Sequence, residues 1–424
     1  MRAYVQQLVF RVQGSYWFIP SLMVIGAIFL SQVAVAIDRE IGNGWIKSFW
    51  FVSMNQPDGA RALLATVAGS MITVAGVTFS LTILAVSHAT AHFGPRLLQN
   101  FMRDRGNQVT LGTFVATFMY CLLVLRVVRG DGVPGRTELD IGVFVPQLSL
   151  LIALILTIAS VAELIYFIHH VPDSIHVSTV LQRLATDMDH KFDDLYPESV
   201  GDPLERENEQ PTPSFEFAHR VTSKSSGYLQ GIDDTELMDF ATSNHAVLHL
   251  LRRPGDFIRE GEAIAEVTEI PDWCRRHADD VRHGFTLGFS RTPTQDVFFI
   301  LNEFVEVATR ALSPGVNDPF TAMQCIDWLS VGLVKLSRRK MPSIHRLDSD
   351  GNVRVVTTQV GYSNFVDAML GQLVPYAKKD ENVRRYFVES MKKVTETSSS
   401  LELNRLINDQ VRHIEPGSPD VENQ

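Results

Sequence analysis

Four runs of apolar residues, each long enough to cross a bilayer, constrain this chain more than any other feature of its sequence. The first, Trp17 to Ile37, carries no formal charge, and about 20 apolar residues in a helix span the hydrocarbon core. The second starts after Arg61 and meets no charge until Arg96, so its helix must project beyond the bilayer or bend. The third covers Asn107 to Leu125 and is closed by Arg126 and Arg129. The fourth begins near Ile141 and reaches about Ile168, with Glu163 inside its last turns. The predicted spans are 17–37, 62–90, 107–128 and 141–168, within a transmembrane region 1–170. A purely soluble enzyme is excluded. Tyr16 and Trp17 would sit at headgroup level. Val33-Ala34-Val35-Ala36 looks like a signal-peptidase site, but the uncharged run exceeds the ~7–15 residues of a signal core and further spans follow, so a retained anchor is expected.

Charge divides the chain in two. Residues 1–170 hold 11 Lys+Arg against 8 Asp+Glu, a net of +3, and the remainder holds 27 against 40, a net of −13. An acidic second part argues against nucleic acid as a partner, because phosphate binding needs a basic surface. The lipid bilayer is the expected partner. Cys121, Cys274 and Cys325 form no C-x-x-C pair or even-numbered framework, so no disulfide scaffold, metal site or cofactor is indicated. An even number of spans puts both termini on one side. Basic residues are nearly balanced between the connections and do not choose that side. The unpaired cysteines favour a cytoplasmic C-terminal part.

Beyond the membrane, residues 171–214 read as a helix followed by a Pro/Glu/Asp-rich linker, and 215–270 as a small β module with turn signals such as Arg253-Pro254-Gly255-Asp256. Residues 271–414 read as an α+β domain, and 415–424 as a disordered tail. Thr292 and Gln295 have capping-box spacing and Pro293 falls at the first helical position, which predicts a helix over Thr292–Leu312. Ser313-Pro314-Gly315-Val316-Asn317 breaks it, and Asp318-Pro319 starts a second helix to about Leu336. Asp350-Gly351 predicts a hairpin between Ile344–Leu347 and Val353–Val356. Two or three amphipathic helices are expected from Ser363 to about His413.

Two polar stripes stand out within the spans. On span two, Thr66, Thr73, Ser80 and Ser87 recur every seven residues, with Gly69, Ser70 and Gly76 on the same side. Span three repeats the pattern with Thr110, Thr113, Thr117, Tyr120 and Cys121. Such residues serve close packing of membrane helices. They could equally line a hydrated path for an ion or small solute if copies associate around an axis as a homo-oligomer. Glu163 is an intramembrane ionisable group and hence a functional candidate, unless it reaches the interface. His88 and His92 lie four apart with no third ligand nearby, and His245 and His249 lie on a predicted strand, too far apart for one metal ion. The loop residues Ser313, Asn317 and Asp318 are a further candidate, either as a helix cap or as a ligand-binding helix start. No phosphate loop, nucleophile elbow or H-E-x-x-H appears, so no catalytic residue is assigned.

Gly227-Tyr228-Leu229-Gln230-Gly231-Ile232-Asp233 and Pro254-Gly255-Asp256-Phe257-Ile258-x-x-Gly261-x-x-Ile264 resemble the biotinyl/lipoyl barrel-sandwich module. No lysine lies between Lys224 and Lys335, so only the barrel, without swinging-arm chemistry, is implied. More widely, Phe93-Gly94-Pro95-Arg96, Phe101-Met102-Arg103-Asp104-Arg105-Gly106-Asn107-Gln108, Arg291-Thr292-x-x-Gln295-Asp296 and Arg310 to Pro319 resemble a bacterial family of predicted membrane proteins catalogued as a domain of unknown function. The resemblance covers nearly the whole chain. It implies a bacterial inner-membrane protein with a four-span helical membrane part and a C-terminal soluble part, and supplies no mechanism. The fold class expected from the residues is a membrane α-helical bundle of four spans with a C-terminal α+β soluble domain containing a small barrel-sandwich-like β unit. The expected class is an oligomeric ion channel or transport protein with a cytoplasmic assembly or gating domain. The alternative is a membrane-anchored scaffold or signalling protein without a permeation path.

Overall fold

A computed structural model describes residues 15–41, 56–94, 104–130, 144–193, 202–203, 214–339 and 343–415. The expected start of span four near Ile141, most of the Pro/Glu/Asp-rich linker before Ser214, Arg96, Phe101–Arg103 and the tail beyond Glu415 lie outside the described residues. The chain divides into two units, one holding most residues up to His176 and the other Val177 onward together with His92–Gly94.

Among the described residues, the first unit contains four helices long and apolar enough to cross a membrane. They are α1 (Phe18–Ile41), α2 (Pro57–Phe93), α3 (Arg105–Leu125) and α4 (Gln147–Ser174). The 37 residues of α2 give about 55 Å at 1.5 Å per residue, well beyond the ~30 Å hydrocarbon core. Spans one, three and four pack on one another, and α2 adds Ala60, Leu64 and Ala68 to the same core as Tyr120, Cys121 and Ala153. Gly112 permits the close approach of α1 to α3: a Cβ there would fall 2.5 Å from Met23 Sδ and 3.2 Å from Pro20 Cα. Close backbone approach through small residues is how membrane helices gain packing energy without a hydrophobic driving force.

The second unit is α+β. Helix α5 (Val177–Asp193) buries Leu181, Leu184, Met188 and Phe192 at helical spacing. Two sheets follow, one ordered β1 (Asp202–Pro203), β8 (His345–Leu347), β9 (Val353–Val356), β4 (Leu248–Leu250), β6 (Ala263–Val267), β2 (His219–Thr222). The other is ordered β5 (Phe257–Ile258), β3 (Gly227–Ile232), β7 (Phe285–Gly288). All pairings are antiparallel except β4 with β9, where Leu248 faces Val355. Val221, Leu229, Leu248, Ile258, Ala265 and Val355 from both sheets share one core with Leu237 and Val281 from helices α6 (Asp234–Ser243) and α7 (Arg275–His283).

These sheets do not close, so the barrel expectation is corrected. After β3, Asp233 accepts the amide of Glu236 at 3.2 Å and turns the chain into α6. The distant hairpin β8–β9, formed where Asp350-Gly351 predicted it, inserts beside β4. The strands within 215–270 are therefore completed by β7, β8 and β9.

Helix α8 (Val297–Ala311) starts later than predicted. Asp296, not Thr292, is its cap: Asp296 accepts the Phe299 amide at 3.2 Å and is clamped by Arg291 through Nε at 2.8 Å and Nη2 at 2.7 Å. Gln295 is drawn away from any capping box, because its amide pairs with both the N–H (2.8 Å) and the carbonyl (3.1 Å) of Ile232. Helix α9 (Pro319–Ser337) packs on α8 and α5. The C-terminus adds α10 (Tyr362–Val366), a π-turn (Asp367–Gly371), α11 (Val374–Ala377), α12 (Glu381–Thr397) and α13 (Leu401–Ile414).

Candidate functional site

Helix α2 has two distinct faces. Ala60, Leu64, Ala68, Met71, Ala75, Thr78 and Thr82 are buried, repeating at three and four residues, so this face packs inward. The candidates Thr66, Ser70, Thr73 and Ser80 are all exposed on the opposite face, together with Gly69, Gly76 and Ser87. A Cβ added at Gly69 or Gly76 would meet nothing within 4 Å. The hydroxyls of Ser70, Thr73 and Ser80 donate to carbonyls four residues back, at 2.8, 2.8 and 2.9 Å. This satisfies the donors without a partner helix.

The span-three stripe lies elsewhere. Thr117 and Tyr120 are fully buried and face α4: Thr117 Oγ1 lies 3.1 Å from Ser160 Oγ, and the Tyr120 hydroxyl donates to the Ser149 carbonyl at 3.1 Å. Thr113 is half-buried and donates to the Val109 carbonyl at 2.9 Å. One turn earlier, the Thr110 hydroxyl contacts Glu163 Oε1 at 2.6 Å. At the start of α3, Asp104 caps the helix by accepting the amides of Gly106 (2.9 Å) and Asn107 (3.4 Å), and it pairs with His170 Nε2 at 3.0 Å. His170 in turn stacks on Tyr166.

At the other end of the seam, Asp38 of α1, 5% exposed, accepts the amides of Leu148 (2.9 Å) and Ser149 (3.0 Å) and the Ser149 hydroxyl (2.7 Å). It thereby neutralises orphan donors at the start of α4. From Asp104 to Tyr120 is about 24 Å of helix rise, so polar side-chain contacts tie span three to span four along most of a bilayer's depth. The two stripes thus do not share a lumen within one chain: one faces outward, the other holds the bundle together. Sequence reading passed over Asp38. Its signal was visible, as the acid that ends the first uncharged run.

In the second unit, Asp318 caps α9 by accepting the Thr321 amide at 3.2 Å and hydroxyl at 2.6 Å. Ser313 accepts the Asn317 amide through its carbonyl at 2.9 Å and donates its hydroxyl to the Arg310 carbonyl at 2.6 Å. Asn317, at φ 48°, takes the left-handed conformation within this connection. Asn tolerates that region because its short side chain can bond locally. His88 is exposed, and the side chain of His92 lies outside the described residues. Among the described residues, no group of three or more His, Cys, Asp or Glu could hold a metal ion.

Comparison with known proteins adds class rather than chemistry. The chain is similar to an uncharacterized protein of Mycobacterium tuberculosis (strain CDC 1551 / Oshkosh), 32% identical over 381 residues that cover 87% of this chain and 69% of the relative. It is similar to the same extent to an uncharacterized protein of Mycobacterium bovis (strain ATCC BAA-935 / AF2122/97). No solved structure matches it. Residues 13–393, which take in all four spans and most of the α+β unit, match the family described as predicted membrane protein (DUF2254), and the chain belongs to that family.

Proposed function

We propose that the protein is an oligomeric ion channel or transport protein of the bacterial inner membrane. In this reading α2 of each copy faces a shared axis, and the C-terminal α+β unit assembles or gates the path from the cytoplasm. The observation that supports the reading is the outward placement of Thr66, Ser70, Thr73 and Ser80 with Gly69 and Gly76, a small and polar surface where a lipid-facing helix would carry bulky apolar residues. Of the exposed large apolar residues on the same helix, Ile72, Phe79, Leu81 and Ile83 flank this surface, and Val77 and Leu84 lie on it.

The test is electrical. In planar bilayers the purified protein carries ion current, and Thr73→Leu or Ser80→Leu changes unitary conductance, while Ile72→Leu, exposed but off the stripe, leaves it unchanged. The second reading is a membrane-anchored scaffold, favoured by the back-bonding that already satisfies Ser70, Thr73 and Ser80. Absence of current at every voltage, pH and lipid composition supports that reading instead. Orientation is tested with the exposed thiol of Cys274. A membrane-impermeant maleimide leaves it unlabelled in intact spheroplasts and labels it after lysis. Labelling of the intact spheroplasts places the α+β unit outside.

A further inference from the structure

Two motifs far apart in sequence meet in the second unit. The turn Arg253–Asp256 is pinned to β3, with the Gly255 amide on the Leu229 carbonyl at 2.8 Å and the Leu229 amide on the Asp256 carbonyl at 2.9 Å. Gly255, at φ +99°, lies directly over the carboxylate of Asp296, where a Cβ would collide with it. Beneath this turn is a cavity of about 230 Å³, closed on its third side by the segment that carries Asn364 and the π-turn residue Asp367. That volume is below the ~300–1,000 Å³ of sites for drug-sized ligands and suits a molecule of roughly ten non-hydrogen atoms. Single π-turns occur frequently at functional sites.

The polar groups in the cavity divide into spent and unspent ones. Arg291 and Asp296 neutralise each other through a two-point clamp. Arg253 lies with its guanidinium 4.6 Å from the centre of the Phe298 ring, and its nearest carboxylate oxygen, Asp256 Oδ1, is 3.7 Å from Nε, an ion pair without a hydrogen bond. Its N–H fork is thus open to a planar acceptor. Asn302 Oδ1 is buried and has no hydrogen-bond partner among the described residues. A buried acceptor left without a partner is costly and calls for a donor from outside the chain. Asp367 is exposed at the rim with no opposite charge paired to it among the described residues.

Charge balance selects the ligand. Two arginines and three aspartates line the cavity, and pairing Arg291 with Asp296 and Arg253 with Asp256 leaves Asp367 in excess. A pure anion would meet Asp367, and a pure cation would meet Arg253. We propose that this cavity binds a free α-amino acid, its carboxylate on the Arg253 guanidinium and its ammonium shared between Asn302 Oδ1 and Asp367. The site is independent of the membrane reading.

The test uses the full-length protein in detergent with each proteinogenic L-amino acid as probe, read by thermal unfolding and isothermal titration calorimetry. At least one amino acid is expected to raise Tm and bind saturably, while its decarboxylated amine and deaminated acid do neither. Asp367→Asn weakens binding at least about tenfold with ligand-free Tm unchanged, and Arg253→Gln, which also gives up its stacking on Phe298, weakens binding at least as much while lowering ligand-free Tm. Asn302→Leu separates ligand binding from architecture: removing an unmet acceptor raises the ligand-free Tm while binding is lost. No saturable binding by any amino acid, equal binding of the amine or acid analogue, or an Asn302→Leu variant that loses stability and keeps affinity overturns the proposal.

Discussion

The carboxylate of Asp38, at the end of span one, accepts both the backbone amide and the hydroxyl of Ser149 at the start of span four, 3.0 and 2.7 Å away. Removing it strands the Leu148 and Ser149 amides and the Ser149 hydroxyl. Asp38→Ala is expected to lower stability in detergent by about 1.5–3 kcal/mol, the range for hydrogen bonds to a charged group. Asp38→Asn keeps one carbonyl acceptor and should recover roughly half. Denaturant titration followed by tryptophan fluorescence measures both. A silent Asp38→Ala would mean that α4 is capped by other groups.

The Thr110–Glu163 contact joins span three to span four at 2.6 Å. A double-mutant cycle with Thr110→Val and Glu163→Leu is expected to give a coupling of about 0.6–1.7 kcal/mol, the range for interhelical hydrogen bonds in membranes. Strictly additive losses would show that the contact contributes no net energy.

At the α8–α9 connection, Asp318→Ala is expected to cost about 0.5–2 kcal/mol, as loss of a helix cap does. Asp318→Asn can still accept the Thr321 amide and should be nearly silent in thermal unfolding. An Asp318→Asn variant that melts like the parent and yet loses current or ligand binding would assign Ser313–Asp318 a functional role.

Asp348 supplies a pH-dependent contribution. Burial opposes its ionisation, but the Asn352 and Asp350 amides, the Asn352 side chain and Arg354 at 2.7 Å outweigh it and hold the carboxyl down at about 2. Its folded pKa lies below the unfolded value of about 3.9. The stabilisation is therefore complete above about pH 4 and is lost as pH falls through about 2. Thermal unfolding between these limits should show the loss in the parent protein. Asp348→Asn should lack that component and start from lower stability at neutral pH. An unchanged acid profile in the variant would assign the pH dependence to other carboxylates.

The sequence alone determined the class of structure, because membrane insertion depends on the length of uncharged apolar runs, and a run such as Trp17–Ile37 needs no partner to be read. It also determined local events governed by neighbours in the chain: the Asp350-Gly351 hairpin, and the Asp318-Pro319 start of α9. Only the tertiary structure decided which face of each helix meets what. The same seven-residue spacing of small polar residues puts Thr73 and Ser80 outside α2, whereas the corresponding stripe of α3 buries Thr117 and Tyr120 against α4. Periodicity gives the angle between residues, not the direction of the neighbouring helix. Likewise Gln295 had the spacing of a capping residue, but the backbone of Ile232, 63 positions earlier, competed for its amide and moved the helix start to Asp296. The barrel motif failed for the same reason: β9 takes the place beside β4 through a long-range parallel pairing that no local pattern encodes.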